Sequence, residues 1–512
     1  MSQWIVLPIA LPAIVAAFLV LALRHQLGGQ RIVSVAATGL LVILAIALYV
    51  MAGDGPPRPY LLGHWPAPFG IVLVLDRLSA TMLLLTAVLA FAVVLYAIAG
   101  WDTRGRHFHA LFQFQLMGIN GAFLTGDVFN LFVFFEVMLI ASYGLMLHGG
   151  GARRLEAGFH YVAINLAGST LFLFAVGIIY AVTGTLNMAD LAVKVAQVPP
   201  ADEALLRTGA LLLFLVFALK AALVPLHWWL PTAYAAASGP AAALFMIMTK
   251  VGAYSILRVY TLVFGAEAGV LALVAAPWVM PAALVTLALG AAGALASRTL
   301  LGLVCFSVVW SMGSLLVAVG MFDAGGIGAS LYYVVHSTLA GAALFLLVDL
   351  IGEQRGGAAD RLVPGPLFPG LIGIAALFFI AAIAMAGMPP LSGFVGKLFI
   401  LEATRTSSSW PWIWAVLLGT SLVVILGFAR AGSTLFWRAA PAGESQARPA
   451  GRAAGALPVV VCASLLGATA MLTAFAGPIT REIDATTRQL LDPQAYVRAV
   501  LPPAAPVALS ER

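Results

Sequence analysis

The sequence predicts an all-α polytopic membrane protein, and three observations lead to this fold class. Of the 512 residues, 62% are hydrophobic, and only 9% are charged. The chain therefore has too little polar side chain to face water on all sides. The apolar residues form long continuous runs without alternation, which predicts helices and not a β-barrel. These features exclude a soluble enzyme, a disordered chain and a protein that binds nucleic acid.

Fourteen stretches are apolar and long enough to cross a bilayer, which requires about 20 residues per helix. They are predicted at 4–23, 32–52, 76–99, 108–125, 128–148, 158–183, 208–231, 240–263, 269–291, 299–321, 328–350, 368–403, 410–432 and 455–476. The N-terminus lacks a basic segment followed by a small-residue cleavage site, so the first stretch is expected to be a spanning helix and not a signal peptide.

Three segments outside these stretches are also informative. The loop at 187–207 is expected to hold a short surface helix. The segment at 433–454 is rich in Ala, Gly, Pro and Arg and is expected to be a flexible loop. The polar tail that follows Pro478 is expected to lie on a surface or to bind a partner.

Arginine positions predict the orientation in the membrane. The loops that follow odd-numbered helices are rich in arginine, whereas the loops that follow even-numbered helices contain fewer basic residues and several acids. The arginines of the first set are Arg24, Arg31, Arg104, Arg106, Arg153, Arg154, Arg298, Arg355, Arg361, Arg438, Arg448 and Arg452. Because cytoplasmic loops carry an excess of basic residues, this set is predicted to be cytoplasmic and both termini are predicted to face outward.

Lysine is used differently from arginine. The chain has 26 basic residues, of which four are lysines, and Lys220, Lys250 and Lys397 fall inside predicted spans. Arginine stays protonated in almost any environment, whereas a buried lysine can lose its proton near physiological pH. Each lysine could instead be a static ion-pair partner or extend to the membrane surface, but Lys220 and Lys250 lie near the middle of their spans. The three lysines are therefore predicted to take up and release protons.

Glu136 is the only acid inside the span at 128–148. A lone carboxylate in a membrane is costly unless it is paired or neutralised, and an intramembrane lysine is its natural partner. Such a pair favours the charged form of both groups, and separating the two favours proton release from the lysine. The alternative is a fixed structural pair.

Histidines supply further candidates. His336 lies near the middle of its span and can both accept and donate a proton, which predicts a relay, although a satisfied hydrogen-bond donor is the alternative. His160 and His227 are weaker candidates. His107, His109 and His148 are at helix ends and are expected to be interfacial.

Two spans contain helix breaks. Pro225 lies five residues after Lys220, and Pro389 and Pro390 precede Lys397. Interior prolines interrupt the helix, which a membrane tolerates where the backbone lines water or is enclosed by protein. The fragments PLHWW and PLSGF align weakly and lie in the seventh and twelfth spans, which are five helices apart. Because an odd offset reverses the direction in which the chain crosses the membrane, this alignment predicts an inverted repeat. Paired breaks of this kind indicate a transport site, with two ordinary proline kinks as the alternative.

No motif for a nucleotide, c-type haem or iron–sulfur cluster is present. Cys305 and Cys462 are isolated in apolar stretches. The sequence therefore predicts no cofactor and no metal on this chain.

Four segments, in order, resemble the antiporter-like family shared by respiratory complex I, membrane-bound hydrogenases and Mrp cation/proton antiporters. They are FFEVMLIASYGL, ALKAALVPLHWWLPTAYAAASGPAAALFMIMTKVGAYSILR, YYVVHSTLAGAALFLLVDLI and GMPPLSGFVGKLFI. The resemblance extends from about residue 70 to 430. The stretch FHALFQFQLMGINGAFLTGDVFNLFVFFEVMLIASYGLMLHGG is most similar to D subunits of Mrp antiporters, and the length agrees with this similarity.

The resemblance implies about fourteen helices with two inverted five-helix repeats, helices 4–8 and 9–13, and breaks in helices 7 and 12. The expected units are 1–105 (helices 1–3), 106–265 (first repeat), 266–433 (second repeat) and 434–512 (cytoplasmic loop, helix 14 and tail). It implies that Glu136 and Lys220 form a coupling pair. It implies that Lys250 and His336 carry protons along a hydrated axis, and that Lys397 links this axis to the other side or to a neighbouring subunit.

The resemblance also implies a hetero-oligomer with other membrane subunits in the bacterial inner membrane, with protons and Na⁺ as substrates. A cation site is not evident. Asp127 with Thr125 and Asn130 is a weak candidate, and Asp76 with Ser79 is a weaker one.

The leading hypothesis is a proton-translocating subunit of a multisubunit Na⁺/proton antiporter, which is a secondary transporter and not an enzyme. The same helices and lysines would serve a proton-pumping subunit of a complex I-type oxidoreductase or a hydrogenase, driven by electron transfer in partner subunits. A membrane scaffold without transport would leave the lysines, Glu136 and the paired breaks unexplained. The chains that co-purify with this one would discriminate between the first two.

Overall fold

The computed structural model of the chain describes residues 2–439 and 455–501, and most of these residues are helical. The α-helices are α1 (Leu7–Leu21), α2 (Leu27–Gly53), α3 (Arg77–Ala97), α4 (Phe108–Leu124), α5 (Val128–Leu147), α6 (Ala152–Thr183), α7 (Met188–Val195), α8 (Glu203–Lys220), α9 (Trp229–Ala236), α10 (Gly239–Leu262), α11 (Ala276–Ala296), α12 (Leu300–Val319), α13 (Ala324–Gln354), α14 (Leu371–Ala386), α15 (Ser392–Thr404), α16 (Trp410–Gly432), α17 (Ala456–Ala474), α18 (Ala476–Leu490) and α19 (Pro493–Val500). Two strands, β1 (Arg58–Leu61) and β2 (Val72–Leu75), form an antiparallel hairpin.

In the described part of the chain, ten helices are long and apolar enough to cross a membrane, and α1 and α14 are shorter apolar helices. Each predicted span coincides mainly with one α-helix, apart from the seventh and the twelfth, which are divided between α8 and α9 and between α14 and α15. The chain is therefore a multi-pass membrane protein.

Both predicted helix breaks are present. The first separates α8 from α9 and contains Pro225, and the second separates α14 from α15 and contains Pro389 and Pro390. Proline has no N–H to donate to the helix, so neighbouring backbone groups need other partners. In the first break the backbone N–H of Val224 donates to the Thr286 hydroxyl at 3.0 Å, which supplies one such partner.

The helices α10, α12 and α13 form the centre of the bundle. Their most apolar segments are 100%, 83% and 89% buried, whereas those of α11, α16 and α17 are about one-third buried or less. Lipid and partner subunits can reach the outer helices, but side chains on the three central helices can be solvated only by protein groups or enclosed water.

Two pairs of adjacent helices pack in the same manner. A Cβ at Gly118 in α4 would lie 2.6 Å from the Met138 backbone N in α5, and a Cβ at Gly290 in α11 would lie 2.5 Å from the Trp310 backbone N in α12. Both positions of the first contact are offset by 172 residues from those of the second (118 to 290 and 138 to 310). Glycine is needed at both places because it lets two membrane helices approach closely.

The two ends of the bundle are distinct. The end with β1, β2, α7, α18 and α19 is called the hairpin end, and the end with Trp101 and the arginine-rich loops is called the arginine end. The helix α7 is the short helix predicted within 187–207. Residues 440–454 of the loop expected to be flexible lie outside the described part of the chain.

The described part of the C-terminal tail, up to residue 501, folds onto the chain itself. The backbone N–H of Arg77 donates to Gln489 at 2.8 Å, and Gln494 donates to Glu267 at 2.7 Å. Tyr496 in α19 is only 4% exposed. The tail, which the sequence predicts to lie on a surface or to bind a partner, therefore covers the hairpin end of its own bundle.

Candidate functional site

The predicted lysines and His336 are buried in the bundle. Lys220 is the last residue of α8, Lys250 is in the middle of α10, His336 is in α13, and Lys397 is in α15. All four are at most 5% exposed. The first break places Lys220 at the end of α8, and the ammonium of Lys397, which lies five residues into α15, reaches the end of α14 at Ala386. The central helices carry the other two.

Two polar side chains of α6 lie between Lys220 and Glu136. The Lys220 ammonium donates to the Asn165 amide oxygen at 2.9 Å, and the Ser169 hydroxyl donates to the Glu136 carboxylate. Asn165 and Ser169 are one helical turn apart, so α6 presents both on one face. Among the described residues, no ion pair within 4 Å joins Glu136 and Lys220, and each of the two contacts a different one of these α6 side chains, which are together called the Asn165–Ser169 bridge.

Glu136 is located at the periphery of the bundle. Its side chain is partly exposed, and its α5 neighbours Val133 and Ile140 are 37% and 65% exposed. The sequence places Glu136 as a lone carboxylate inside an apolar span. The structure instead leaves one side of this carboxylate accessible from outside the chain.

Lys250 is completely buried and has an unusual partner. Its ammonium lies 3.2 Å from the Met312 sulfur in α12. Thioether sulfur is a weak hydrogen-bond acceptor, so this contact compensates little of the cost of burying a charge. Lys250 also lines a small cavity with Tyr254 and Ser330.

His336 has one engaged and one free ring nitrogen. Its Nδ1 lies 2.9 Å from the hydroxyl of Ser392, the first residue of α15. Its Nε2 is buried and has no hydrogen-bond partner in the described part of the chain. A Cβ at Gly393 would lie 2.9 Å from this nitrogen, so glycine keeps the space beside it open. A histidine with one free nitrogen can exchange a proton there, which favours the relay over the satisfied donor.

Lys397 is held by dipoles and an aromatic ring. Its ammonium donates to the Ala386 carbonyl and to the Ser421 hydroxyl, the latter at 2.9 Å, and lies 4.1 Å from the centroid of the Trp310 ring. Gly387 has φ +72, and a Cβ there would lie 2.6 Å from the lysine chain. The break before α15 therefore requires glycine to admit this lysine.

None of the three membrane lysines has a carboxylate within 4 Å in the part of the chain that the structure describes. Lys194, the fourth lysine, pairs with Asp190 at 3.1 Å and is 42% exposed. A buried ammonium without a counter-charge is costly, and release of its proton removes the cost. This arrangement suits groups that change their charge rather than static ion pairs.

The weaker histidine candidates are at the arginine end. His160 is exposed, and His227 is partly buried with a free Nδ1. Both line an open cavity of about 560 Å³ together with Arg153 and Glu156. The structure thus brings these two histidines together, away from the buried lysines.

His109 was expected at an interface, but it is completely buried at the arginine end. Its Nε2 lies 3.2 Å from Asp102, which also forms an ion pair with Arg31 at 2.6 Å. Burial tends to raise the pKa of Asp102, but hydrogen bonds from Arg31 and His109 outweigh burial and lower the pKa to about 2. Apolar sequence around a helix end did not predict this buried ion cluster.

The weak cation-site candidates have other roles. The Asp127 carboxylate accepts the backbone N–H of Asn130 at 2.8 Å and caps α5, while the Thr125 hydroxyl accepts from the Asn130 side chain at 2.9 Å. Burial raises the pKa of Asp127 to about 6. Asp76 forms an ion pair with Arg258 at 2.6 Å. No group of three metal-binding side chains occurs within 2–439 and 455–501.

Sequence analysis missed several residues that touch the predicted ones. They are Asn165, Ser169, Trp310, Met312, Ser392 and Ser421. A polar residue inside an apolar span was a usable signal for Asn165. The others had no such signal, because serine, methionine and tryptophan are common in membrane helices.

The fold and the site together define a class of protein: a multi-pass membrane transport protein with buried groups that can exchange protons. A family model described as NADH:quinone oxidoreductase/Mrp antiporter, transmembrane, matches residues 125–425. The chain belongs to this family.

Similar chains agree with this assignment. The D subunit of a probable K⁺/H⁺ antiporter of Rhizobium meliloti is 42% identical, and the alignment covers 98% of both chains. The D subunit of an Na⁺/H⁺ antiporter of Alkalihalophilus pseudofirmus is 35% identical over 98% of this chain and 100% of the relative. A chain in the structure of the Mrp complex from Dietzia is 27% identical with a TM-score of 0.86, covering 98% of this chain and 100% of that one.

Proposed function

We propose that this chain is the proton-translocating subunit of a multisubunit monovalent cation/proton antiporter. The observation that carries the proposal is the set of three buried lysines without carboxylate partners in the described residues. Lys220 ends the helix before the first break, and the ammonium of Lys397 reaches the helix end before the second. The similarity of the chain to proteins named as D subunits of antiporters supports transport rather than catalysis.

Protons would move between Lys220, Lys250, His336 and Lys397. Glu136 would act on Lys220 through the Asn165–Ser169 bridge. Coulomb interactions between buried charges fall with distance and weaken when water enters. A small shift of α5 relative to α6 would therefore change how strongly Glu136 favours the protonated lysine.

The repeat architecture is part of the proposal. The shared offset of 172 residues in the packing of α4 on α5 and of α11 on α12 supports two related halves. These would be helices 4–8 (106–265) and helices 9–13 (266–433) of a fourteen-helix chain, flanked by 1–105 and 434–512. The broken seventh and twelfth helices would occupy equivalent places.

Orientation and partners follow from charge and from the relatives. Arginine-rich loops would place the arginine end in the cytoplasm and both termini outside the bacterial inner membrane. The accessible side of Glu136 would face a neighbouring membrane subunit, as expected for a chain similar to one in an Mrp complex. The transported cation would be Na⁺ or K⁺, because proteins named for each ion are among the relatives.

Exchange measured in membrane vesicles tests the proposal. Everted vesicles from antiporter-deficient cells that express the whole complex are given a pH gradient, and its collapse on addition of Na⁺ or K⁺ is followed by a fluorescent amine. Glu136→Ala and Lys220→Ala should abolish this exchange while the complex still assembles. The exposed lysine variant Lys194→Ala is the matched control and should exchange normally. Normal exchange in the Glu136 and Lys220 variants would contradict the proposal.

The second candidate is a proton-pumping subunit of a complex I-type oxidoreductase, because the matching family includes such chains. Its helices and lysines would be the same. Purification of the complex with this chain tagged would reveal redox subunits in that case and only small membrane subunits in the antiporter case.

A further inference from the structure

A line of polar side chains extends along α10 from Lys250 toward the hairpin end. Lys250, Tyr254 and Arg258 follow at intervals of four residues along α10, so they share one face of the helix. This helix is completely enclosed within the bundle. The face therefore provides polar groups where lipid cannot reach.

The contacts along this face are nearly continuous. Lys250, Tyr254 and Ser330 line a cavity with about 10 Å³ open to the centre of a water molecule, which is close to the space that one water needs. The Tyr254 hydroxyl donates to the Phe123 carbonyl at 2.7 Å and accepts from Arg258 Nε at 3.3 Å. One enclosed water would connect the lysine to the tyrosine hydroxyl.

The line ends in a buried ion pair. Arg258 binds Asp76 through two nitrogens, at 2.6 and 2.8 Å, and the two side chains are only 5% and 4% exposed. Asp76 directly precedes α3 at the hairpin end. The next residue, Arg77, is 21% exposed and pairs with Glu482, so the solvent boundary lies close to Asp76.

Tyr496 of α19 covers the pair. The Arg258 guanidinium lies 5.5 Å from the centroid of the Tyr496 ring. The helix α19 is eight residues long and packs on the bundle through Tyr496 and Val500, which are both 4% exposed, and its Gln494 forms a hydrogen bond with Glu267 between exposed groups. A short surface helix held in this way can move more easily than the helices beneath it.

A buried ion pair contributes little to stability compared with apolar packing, so stability alone does not explain this one. Arg258 keeps its charge and repels other cations from the line to Lys250. Among the side chains of the described line, Asp76 is the carboxylate, and it can accept the proton that Lys250 releases.

We propose that Asp76 and Arg258 form an outer gate for Lys250, with Tyr496 as its cover. When the pair is closed, Lys250 is isolated from the hairpin-end solvent. When Arg258 moves away from Asp76, an N–H bond of Lys250 breaks and its proton passes to the enclosed water, which gives a proton to the Tyr254 hydroxyl. The original O–H bond of Tyr254 breaks, water that fills the place of the guanidinium carries this proton to Asp76, and an O–H bond forms on the carboxylate, which releases the proton to solvent. The proton step rests on the proposed function, whereas the closed and open states of the gate do not.

Thiol accessibility tests the gate independently of transport. Leu78 lines the cavity and is 2% exposed, so Leu78→Cys is introduced into the whole complex after Cys305 and Cys462 are replaced by alanine. A membrane-impermeant methanethiosulfonate reagent is applied to sealed vesicles. Phe69→Cys, at a position that is 90% exposed at the hairpin end, reports which side of the vesicle the reagent reaches.

The thiol of Leu78→Cys should react slowly when the pair is intact. Asp76→Asn and Tyr496→Ala should each raise the rate about tenfold or more, because either change removes a contact that holds the gate closed. Glu482→Gln, which breaks the neighbouring exposed pair, is the matched control and should leave the rate unchanged. The exchanged pair, Asp76→Arg with Arg258→Asp, should restore slow labelling.

Slow labelling of the introduced thiol in both Asp76→Asn and Tyr496→Ala would overturn the gate. If the Asp76→Asn variant fails to assemble with its partner subunits, the labelling rate of the thiol in the Tyr496→Ala variant alone decides whether the gate exists. Cation/proton exchange is measured on the same vesicles, where Asp76→Glu should retain exchange and Asp76→Asn should lower it about tenfold. Unchanged exchange in an Asp76→Asn variant that labels rapidly would contradict the proton step but not the gate. Loss of exchange in Glu482→Gln as well as in Asp76→Asn would contradict the proton step, because the control leaves the Asp76–Arg258 pair intact.

Discussion

The two broken helices hold their lysines in different ways. At the first break, Lys220 binds the Asn165 amide, and a carboxylate, Glu136, is reached through a neighbouring hydroxyl. At the second break, Lys397 contacts the Trp310 ring, a hydroxyl and a carbonyl, with no carboxylate within 4 Å in the described residues.

This difference separates two tasks. In the proposed function, the charge of Lys220 would depend on Glu136 at the edge of the chain, so an event outside the chain would change the proton affinity of this lysine. The surroundings of Lys397 are fixed dipoles and a ring, which stabilise a charge by the same amount at all times. The first break is therefore suited to coupling, and the second is suited to conduction.

The largest effect is expected at the bridge of the first break. Asn165→Leu removes the oxygen that accepts from Lys220 and leaves the ammonium without a partner. Such losses cost about 3–5 kcal/mol for a buried charge, so exchange should fall by about 100-fold or more. Vesicle exchange rates at matched amounts of assembled complex measure this change. Asn165→Asp should retain part of the activity, and an unaffected Asn165→Leu variant would show that the amide has no role.

The next largest effect is expected at the ring beneath Lys397. A desolvated cation over tryptophan is stabilised by about 2 kcal/mol, so Trp310→Leu should lower exchange by about 30-fold. Trp310→Phe keeps an aromatic face and should recover most of this loss. The exchange rate as a function of pH is the readout, because loss of the ring should move the curve to lower pH. Equal exchange rates and equal pH curves for Trp310→Leu and Trp310→Phe would mean that the ring contributes packing and does not stabilise the charge of Lys397.

A smaller effect is expected at Ser169. Its hydroxyl donates to Glu136, and removal of a hydrogen bond to a charged group costs about 1.5–3 kcal/mol. Ser169→Ala should therefore lower exchange by about tenfold, less than Asn165→Leu. Thr170→Ala, on an exposed face of the same helix, is the control. If Ser169→Ala proves more harmful than Asn165→Leu, the order of the two contacts in the coupling is wrong.

The smallest effect concerns stability at the hairpin end. The pKa of Asp127 is raised by burial to about 6, so the folded state favours the protonated acid. Its ionisation lowers stability as pH rises from about 4 through about 6, and the full penalty is present above that range. The amide oxygen in Asp127→Asn can still accept the cap hydrogen bond without this penalty.

The melting temperature of Asp127→Asn should therefore exceed that of the unsubstituted chain by about 2 °C or more at pH 8, with little difference near pH 4.5. Thermal unfolding of the purified complex measures both. A difference that is the same at both pH values would contradict the assignment of this penalty to Asp127.

The sequence was sufficient for the positions of the apolar helices and of both breaks, because apolar runs and interior prolines are local signals. It was also sufficient to place the three lysines and His336 inside the membrane-spanning bundle. It did not predict the helices α18 and α19 in the polar tail. It could not predict which side chains of other helices would contact the buried polar groups. Lys397 meets Trp310 and Arg258 meets Asp76 across long stretches of sequence, and the local pattern around each residue carries no signal of such pairs.

The same limit applies to two site expectations. The charges of Glu136 and Lys220 suggest a pair, but the spacing of two helices decides whether the side chains meet directly or through Asn165 and Ser169. Asp127 and Thr125 have oxygen atoms suitable for a cation, yet Asp127 caps α5 and Thr125 accepts a hydrogen bond from the Asn130 side chain. Local chemistry is the same in both roles, and only the three-dimensional contacts distinguish them.

Replacement of Lys220 by arginine tests the central claim most directly. Arginine keeps the positive charge and can still bind an amide oxygen, but it does not release its proton under these conditions. If Lys220 works by changing its charge, Lys220→Arg in an assembled complex should show no cation/proton exchange, while Lys194→Arg on the surface exchanges normally. Exchange by Lys220→Arg at a rate close to that of the unsubstituted complex would show that a static charge is enough, and would contradict the account.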